Sequence, residues 1–161
     1  LLDESESEEL FQLGTNHVRV SGADFRFTSR LIDGRFPDYK RVIPADNGHT
    51  VTVDRQLLRE ALSRTAILCN EKFRGVRIRL TPGRLEMLAN NPENEEAEEH
   101  LEIDYEGDPI EIGFNVTYLL DALAAISGDM AELHLIDANS SCLLTDAGND
   151  CCQYVFMPMR L

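Results

Sequence analysis

The stretch Asp54-Arg-Gln-Leu-Leu-Arg-Glu-Ala-Leu-Ser-Arg-Thr-Ala-Ile-Leu68 is the one on which the fold turns. Asp54 is an N-cap by type, because a short carboxylate can accept from the free N–H groups of a first helical turn. Leu57, Leu58, Ala61, Leu62, Thr65 and Ile67 follow near helical period. That spacing predicts one apolar stripe and leaves Arg55 and Arg59 together on another face. Sixty-one residues further on the pattern returns. Asn115 caps Val116-Thr-Tyr-Leu-Leu-Asp-Ala-Leu-Ala-Ala-Ile126, and Ser127-Gly128 stops it. At this offset Leu58 meets Leu119, Ala61 meets Ala122, and Leu62 meets Leu123.

Strand-like runs surround both helices. Thr50 to Val53 precedes the first helix. Gly75 to Leu80, turning at Pro82-Gly83 into Arg84 to Leu88, and then His100 to Tyr105 follow it. Pro109 to Gly113 precedes the second helix, and Ala131 to Ile136, Ser141 to Thr145 and Gln153 to Met157 follow it. Strand, capped helix and further strands therefore occur twice, which predicts an internally duplicated α+β domain. Upstream, His17 to Val20 and Asp24 to Ile32 are strand-like without a helix. Together with a start at Leu1 rather than Met, this predicts a piece of a longer protein holding the end of one domain and the whole of the next. The segment Asp33 to Pro44 between them, with Pro37 and Pro44, is expected to be extended, and its Phe36, Tyr39, Val42 and Ile43 to pack in a seam.

The 161 residues carry 15 Lys and Arg against 29 Asp and Glu, a net charge of −14. An overall basic footprint for tight nonspecific duplex binding is absent. The distribution is uneven. Acid gathers in Asp3 to Glu9 and Glu93 to Asp108, whereas Arg55 to Arg84 is locally basic. No apolar run approaches the ~20 residues of a membrane helix. The cysteines, Cys69, Cys142, Cys151 and Cys152, form no C-x-x-C and have no His at ligand spacing, so reduced, packed thiols in a cytosolic protein are expected.

Motifs for catalysis are missing from the sequence: no G-x-S-x-G, H-E-x-x-H, Walker loop or G-x-G-x-x-G. His17, His49, His100 and His134 stand in unrelated contexts, and His134 reads as a solvent-facing strand residue. The acid run Glu93 to Glu99 lacks the spacing of a calcium loop and reads as a solvated or partner-facing strand edge. Arg55 and Arg59 fit either a solvated helix face or a face turned toward phosphate. The terminus Tyr154-Val-Phe-Met-Pro-Met-Arg-Leu161 is unusually apolar for a chain end. It fits a last core strand or a groove for linear peptides, to which flexible Met side chains adapt.

Phe36-Pro-Asp-Tyr39, Asn70-Glu-Lys-Phe-Arg-Gly-Val76, Ala89-Asn-Asn-Pro92 with its Glu run, Ile112-Gly-Phe-Asn-Val116 and Met157-Pro-Met-Arg-Leu161 occur in an order that resembles the sliding clamps, the beta subunits of bacterial DNA polymerase III. The resemblance implies a DNA-clamp fold, with two helix-plus-antiparallel-strand units per domain and helices on one face of the sheets. Residues 1–39 would be the C-terminal part of the second clamp domain and 40–161 the third. It implies a non-enzymatic cytoplasmic processivity factor without cofactor or metal. In the family, two chains close a ring that slides on double-stranded DNA, with polymerases and the clamp loader docking through linear peptides.

By resemblance, the peptide groove falls on Pro37, Arg41, Val42, Asn115, Tyr118, Ser141, Val155, Met157, Pro158, Met159 and Arg160. The ring interface falls on Ile67, Leu68, Glu93, Glu95, Glu96, Glu98 and Glu99, and the DNA-facing cations are Arg55 and Arg59. A chain without the preceding domains would not close a ring in the family's way. A stand-alone acidic peptide-binding adaptor is the alternative.

Overall fold

The structure, a computed structural model, describes residues 9–34, 38–44 and 48–160. Residues up to Asp38 and those from Tyr39 onward form separate compact units. In the first, β1 (Leu10–Leu13), β2 (His17–Ser21) and β3 (Arg26–Arg30) make an antiparallel sheet in that order. β1 lies just after the acidic opening of the chain, where charge hides a strand from pattern reading. Tyr39–Arg41 is a turn of 3₁₀ helix rather than extended chain: the Val42 and Ile43 N–H groups both donate to the Tyr39 carbonyl. Pro37 and Phe36 lie outside the described residues.

The second unit repeats one motif. β4 (His49–Asp54), α1 (Arg55–Thr65), β5 (Gly75–Thr81), β6 (Arg84–Asn90) and β7 (Glu96–Glu102) form the first copy. β8 (Ile110–Asn115), α2 (Val116–Ala125), β9 (Met130–Leu135), β10 (Cys142–Asp146) and β11 (Asn149–Phe156) form the second. The leading strand of each copy joins the other copy's sheet. The orders are β11-β10-β9-β4 and β7-β6-β5-β8, antiparallel throughout. This exchange makes the two copies one cooperative body, since neither sheet is complete without the other copy.

Both caps form as the side-chain types dictate. Asp54 Oδ1 accepts from the Leu57 N–H at 2.8 Å, and Asn115 Oδ1 accepts from the Thr117 N–H at 2.9 Å. The duplicated positions Leu58, Ala61, Leu62 and Leu119, Ala122, Leu123 are all buried, where α1 and α2 pack on each other and on the sheets. Leu57 and Ile67 are exposed instead, because the buried stripe is narrower than the apolar pattern. Gly83, at φ +76°, makes the β5–β6 turn in a conformation that disfavours other residues.

Other expectations need correction. The strand placed at His100 to Tyr105 runs over Glu96–Glu102, inside the acid run; β6 pairs with it from Arg84↔Glu102 to Asn90↔Glu96. Hydrogen bonding to a neighbour outweighs the poor strand propensity of Glu. Cys151 and Cys152 are exposed, not packed, because they lie where the β10–β11 register shifts between Thr145 and Asp146. Cys69 and Cys142 are buried, and burial pushes the Cys142 thiol up to about 12, leaving it a protonated packing group. No helix among the described residues is long and apolar enough to cross a membrane.

Candidate peptide groove and ring-interface edge

The C-terminal segment is built on the edge of β8. After β11 ends at Phe156, Pro158 interrupts strand pairing, and the Met159 N–H then donates to the Gly113 carbonyl at 2.8 Å in an antiparallel bridge. Beneath it, Phe156 and Phe114 meet edge to face with centroids 6.3 Å apart. Phe156 is buried and Met157, pointing the other way, is 64% exposed. Gly113, between Ile112 and Phe114, is not among the site residues that the resemblance implies. A glycine inside a strand pattern is the signal that another backbone approaches closely.

Several residues of the expected groove lie on elements that adjoin this segment. Val155 stands opposite Leu143 across β10–β11, and Ser141 Oγ donates to the Val42 carbonyl at 2.7 Å. That bond ties the 39–44 turn to the start of β10. Asn115 ends β8 two residues beyond Gly113, and Tyr118, in the first turn of α2, is exposed. Val42 is also exposed, and Val155, Pro158 and Met159 are half-buried. Arg41 and Arg160 lie at the two ends of the described set, and Pro37 is outside it. Apolar groups left open in this way, such as Met157, Val42 and Val155, can accept apolar side chains from an extended ligand.

The acid run divides between two faces of β7. Glu96, Glu98 and Glu102 are exposed on one face, whereas Glu99 lies with Ala97 and Leu101 on the other. Arg64 on α1 grips Glu99 with two hydrogen bonds, Nε to Oε1 at 2.7 Å and Nη2 to Oε2 at 3.1 Å. That guanidinium holds the Glu99 carboxyl below the usual carboxylate range. Glu98 meets Arg84 at 3.4 Å, and Glu95 accepts from Asn91 at 2.6 Å. Ile67, 77% exposed, and half-buried Leu68 sit in the 3₁₀ turn that continues α1. β7 is an edge strand with its outer side unpaired among the described residues, and charge on such an edge deters indiscriminate pairing.

The Glu99 shift has a defined sign. A depressed folded-state pKa adds stability above the unfolded value, and that contribution is lost as pH falls through the lower, folded value. In an NMR titration the Glu99 carboxyl is expected to titrate below the ordinary glutamate value, and Arg64→Ala to return it toward that value. The stability effect is small, since the pair is largely solvated. An unmoved Glu99 midpoint in Arg64→Ala would contradict the pairing.

The two expected DNA-facing arginines have different roles in the structure. Arg55 is half-buried, and its Nε donates to Gly128 O at 2.7 Å and its Nη1 to Leu123 O at 3.3 Å, capping the end of α2. Arg59 is exposed.

A duplicated α+β domain with paired helices, an anchored apolar terminus and an acidic sheet edge is the domain type of a DNA clamp. Residues 40–160 match the DNA polymerase III beta subunit, C-terminal domain, and the chain belongs to that family. The beta sliding clamp of Pseudomonas putida is 55% identical over all of this chain, and that of Escherichia coli K12 is 47% identical. The chain spans 44% of the length of each. The crystal structure of the DNA polymerase III subunit beta from Pseudomonas aeruginosa superimposes with a TM-score of 0.89 at 53% identity, covering all of this chain and 44% of that one. A second structure of that protein, bound to griselimycin, gives 0.85 at 53% identity over 98% of this chain and 43% of its own. These relatives give no support to a stand-alone adaptor.

Proposed function

We propose that this chain is the clamp-domain part of a processivity factor for the bacterial replicative DNA polymerase, residues 1–39 ending one clamp domain and 40–161 forming the last. The protein acts in the cytoplasm and is not an enzyme. It holds DNA by enclosing it in a ring of two subunits, so a net charge of −14 is compatible with work on a polyanion. Arg59 offers weak phosphate attraction that permits sliding, and Arg55 adds charge while holding α2. Ile67, Leu68 and the exposed carboxylates of β7 and its preceding turn meet an apolar and basic surface on the other subunit. Polymerases and the clamp loader dock by linear peptides at Val42, Tyr118, Val155, Met157 and Met159.

The observation that carries this reading is the terminus. Met157 is exposed on a segment anchored at both sides, by Phe156 in the core and by Met159 on β8. A segment held this firmly with an apolar side chain outward fits a preorganised binding surface. Titrating a peptide of Gln-Leu-x-Leu-Phe type should shift amide and methyl NMR signals of Val42, Tyr118, Val155 and Met157 together. Shifts centred elsewhere would sink the assignment of the groove.

A further inference from the structure

On the outer face of the β11-β10-β9-β4 sheet, strand register lays out a continuous row. Val155 stands opposite Leu143, Leu143 opposite His134, and His134 opposite Thr50. A parallel row runs from Gln153 through Thr145 and Glu132 to Thr52. A cavity of about 320 Å³ is lined by Thr50, Glu132, His134, Leu143 and Gln153 of these rows and by apolar Pro44, Leu135 and Ile136 beyond them. Leu143 of its lining stands opposite Val155, so it adjoins the proposed groove, and Thr50, Glu132, His134, Thr145 and Gln153 make up its polar part.

The polar end has a definite charge. His134, expected to be simply solvent-facing, is half-buried: Nδ1 lies 3.1 Å from Thr50 Oγ1, and Nε2 lies 3.1 Å from Thr145 Oγ1. With both ring nitrogens engaged by hydroxyls, the imidazole is held as a fixed floor. Glu132 is the carboxylate of the lining, and no Lys or Arg is among the lining residues. Its ion-pair neighbour among the described residues is His134 at 3.7 Å. The other sheet is the contrast, because three of its outer-face acids are matched by arginine: Glu111 with Arg79 at 2.8 Å, Glu86 with Arg79 at 3.4 Å, and Glu98 with Arg84 at 3.4 Å. On the β9 side, among the described residues, the cation is missing.

We propose that this cavity is a basic-residue subsite of the groove, receiving a Lys or Arg side chain of the docked peptide, with Glu132 as its charge partner. The proposal rests on the groove reading above. Strand spacing of ~4.8 Å puts Glu132 about 10 Å from β11, so the basic residue lies one to three positions from the apolar anchor. The methylene stem of such a side chain covers Leu143 while its head reaches the carboxylate. The subsite would rank partners that share the same anchors.

Fluorescence anisotropy with labelled Leu-Phe peptides tests this on the whole chain. Lys, norleucine or Glu is placed in turn at each of the three positions on either side of the anchors. At one position Lys is expected to bind about three- to fivefold more tightly than norleucine, and Glu more weakly. Glu132→Gln should abolish the Lys preference without changing the affinity of the norleucine peptide. High salt should compress the preference in the native chain. Anchor-dependent binding with no Lys preference, or a preference that survives Glu132→Gln, overturns the subsite and leaves the groove standing. Binding indifferent to replacing both anchors by Ala overturns the groove and the subsite together.

Discussion

Met157→Glu is expected to weaken capture of an apolar-anchored peptide by about 30- to 100-fold, a loss of about 2–3 kcal/mol. The ligand's apolar side chain would have to cover a carboxylate without a partner, and desolvating an unpaired charge costs more than losing the Met contact. Folding should be almost untouched, since Met157 is exposed and the adjacent anchors, Phe156 and Met159, are unchanged. The urea midpoint of the variant should therefore match that of the native chain. Met157→Leu should retain binding within a few-fold, because volume and polarity are kept. Anisotropy titrations of the three proteins separate the possibilities. Native affinity in Met157→Glu would mean that the terminus does not line the groove.

Phe114→Ala is expected to cost about 3–5 kcal/mol of stability, a substantial part of what a domain of this size possesses. Phe114 is 1% exposed and packs edge to face on Phe156, so its removal leaves a cavity under both β8 and β11. The effect should also reach function. β8 supplies Gly113 for the Met159 bridge and ends in Asn115, the cap of α2, so a slackened β8 loosens the groove from below. Urea unfolding and a peptide titration in native conditions should both register the change. Phe73→Ala is the control: Phe73 is largely exposed, and its removal should cost about 0.5 kcal/mol or less. Equal losses in the two variants would contradict the role assigned to Phe114.

Much of this arrangement is legible in sequence for physical reasons. Capping is local chemistry, so Asp54 and Asn115 mark their helices without tertiary information. Burial follows period, and the matched pairs from Leu58/Leu119 to Leu62/Leu123 are core residues in both repeats. Charge obscured two strands: β1 begins just after an acidic stretch, and β7 runs through one, where partner hydrogen bonds decide and composition misleads. The bulge that exposes Cys151 and Cys152 is likewise set by pairing with β10.

The residues named for the site came from family resemblance, and the structure sorts them by what each side chain touches. Nothing in the sequence distinguishes Arg55 from Arg59, yet one is spent on the Leu123 and Gly128 carbonyls in and just after α2 and the other is exposed. The Glu run reads as uniform, yet strand alternation turns Glu99 to Arg64 and leaves Glu96 on the other face. The sequence by itself determined the two capped helices, their buried stripes, the duplication and the apolar terminus, because each follows from interactions within a few residues. Only the tertiary structure decided which copy's leading strand completes which sheet, where Met159 is anchored and what His134 faces. Those depend on contacts between residues distant in the chain, such as Thr50 with His134 and Gly113 with Met159.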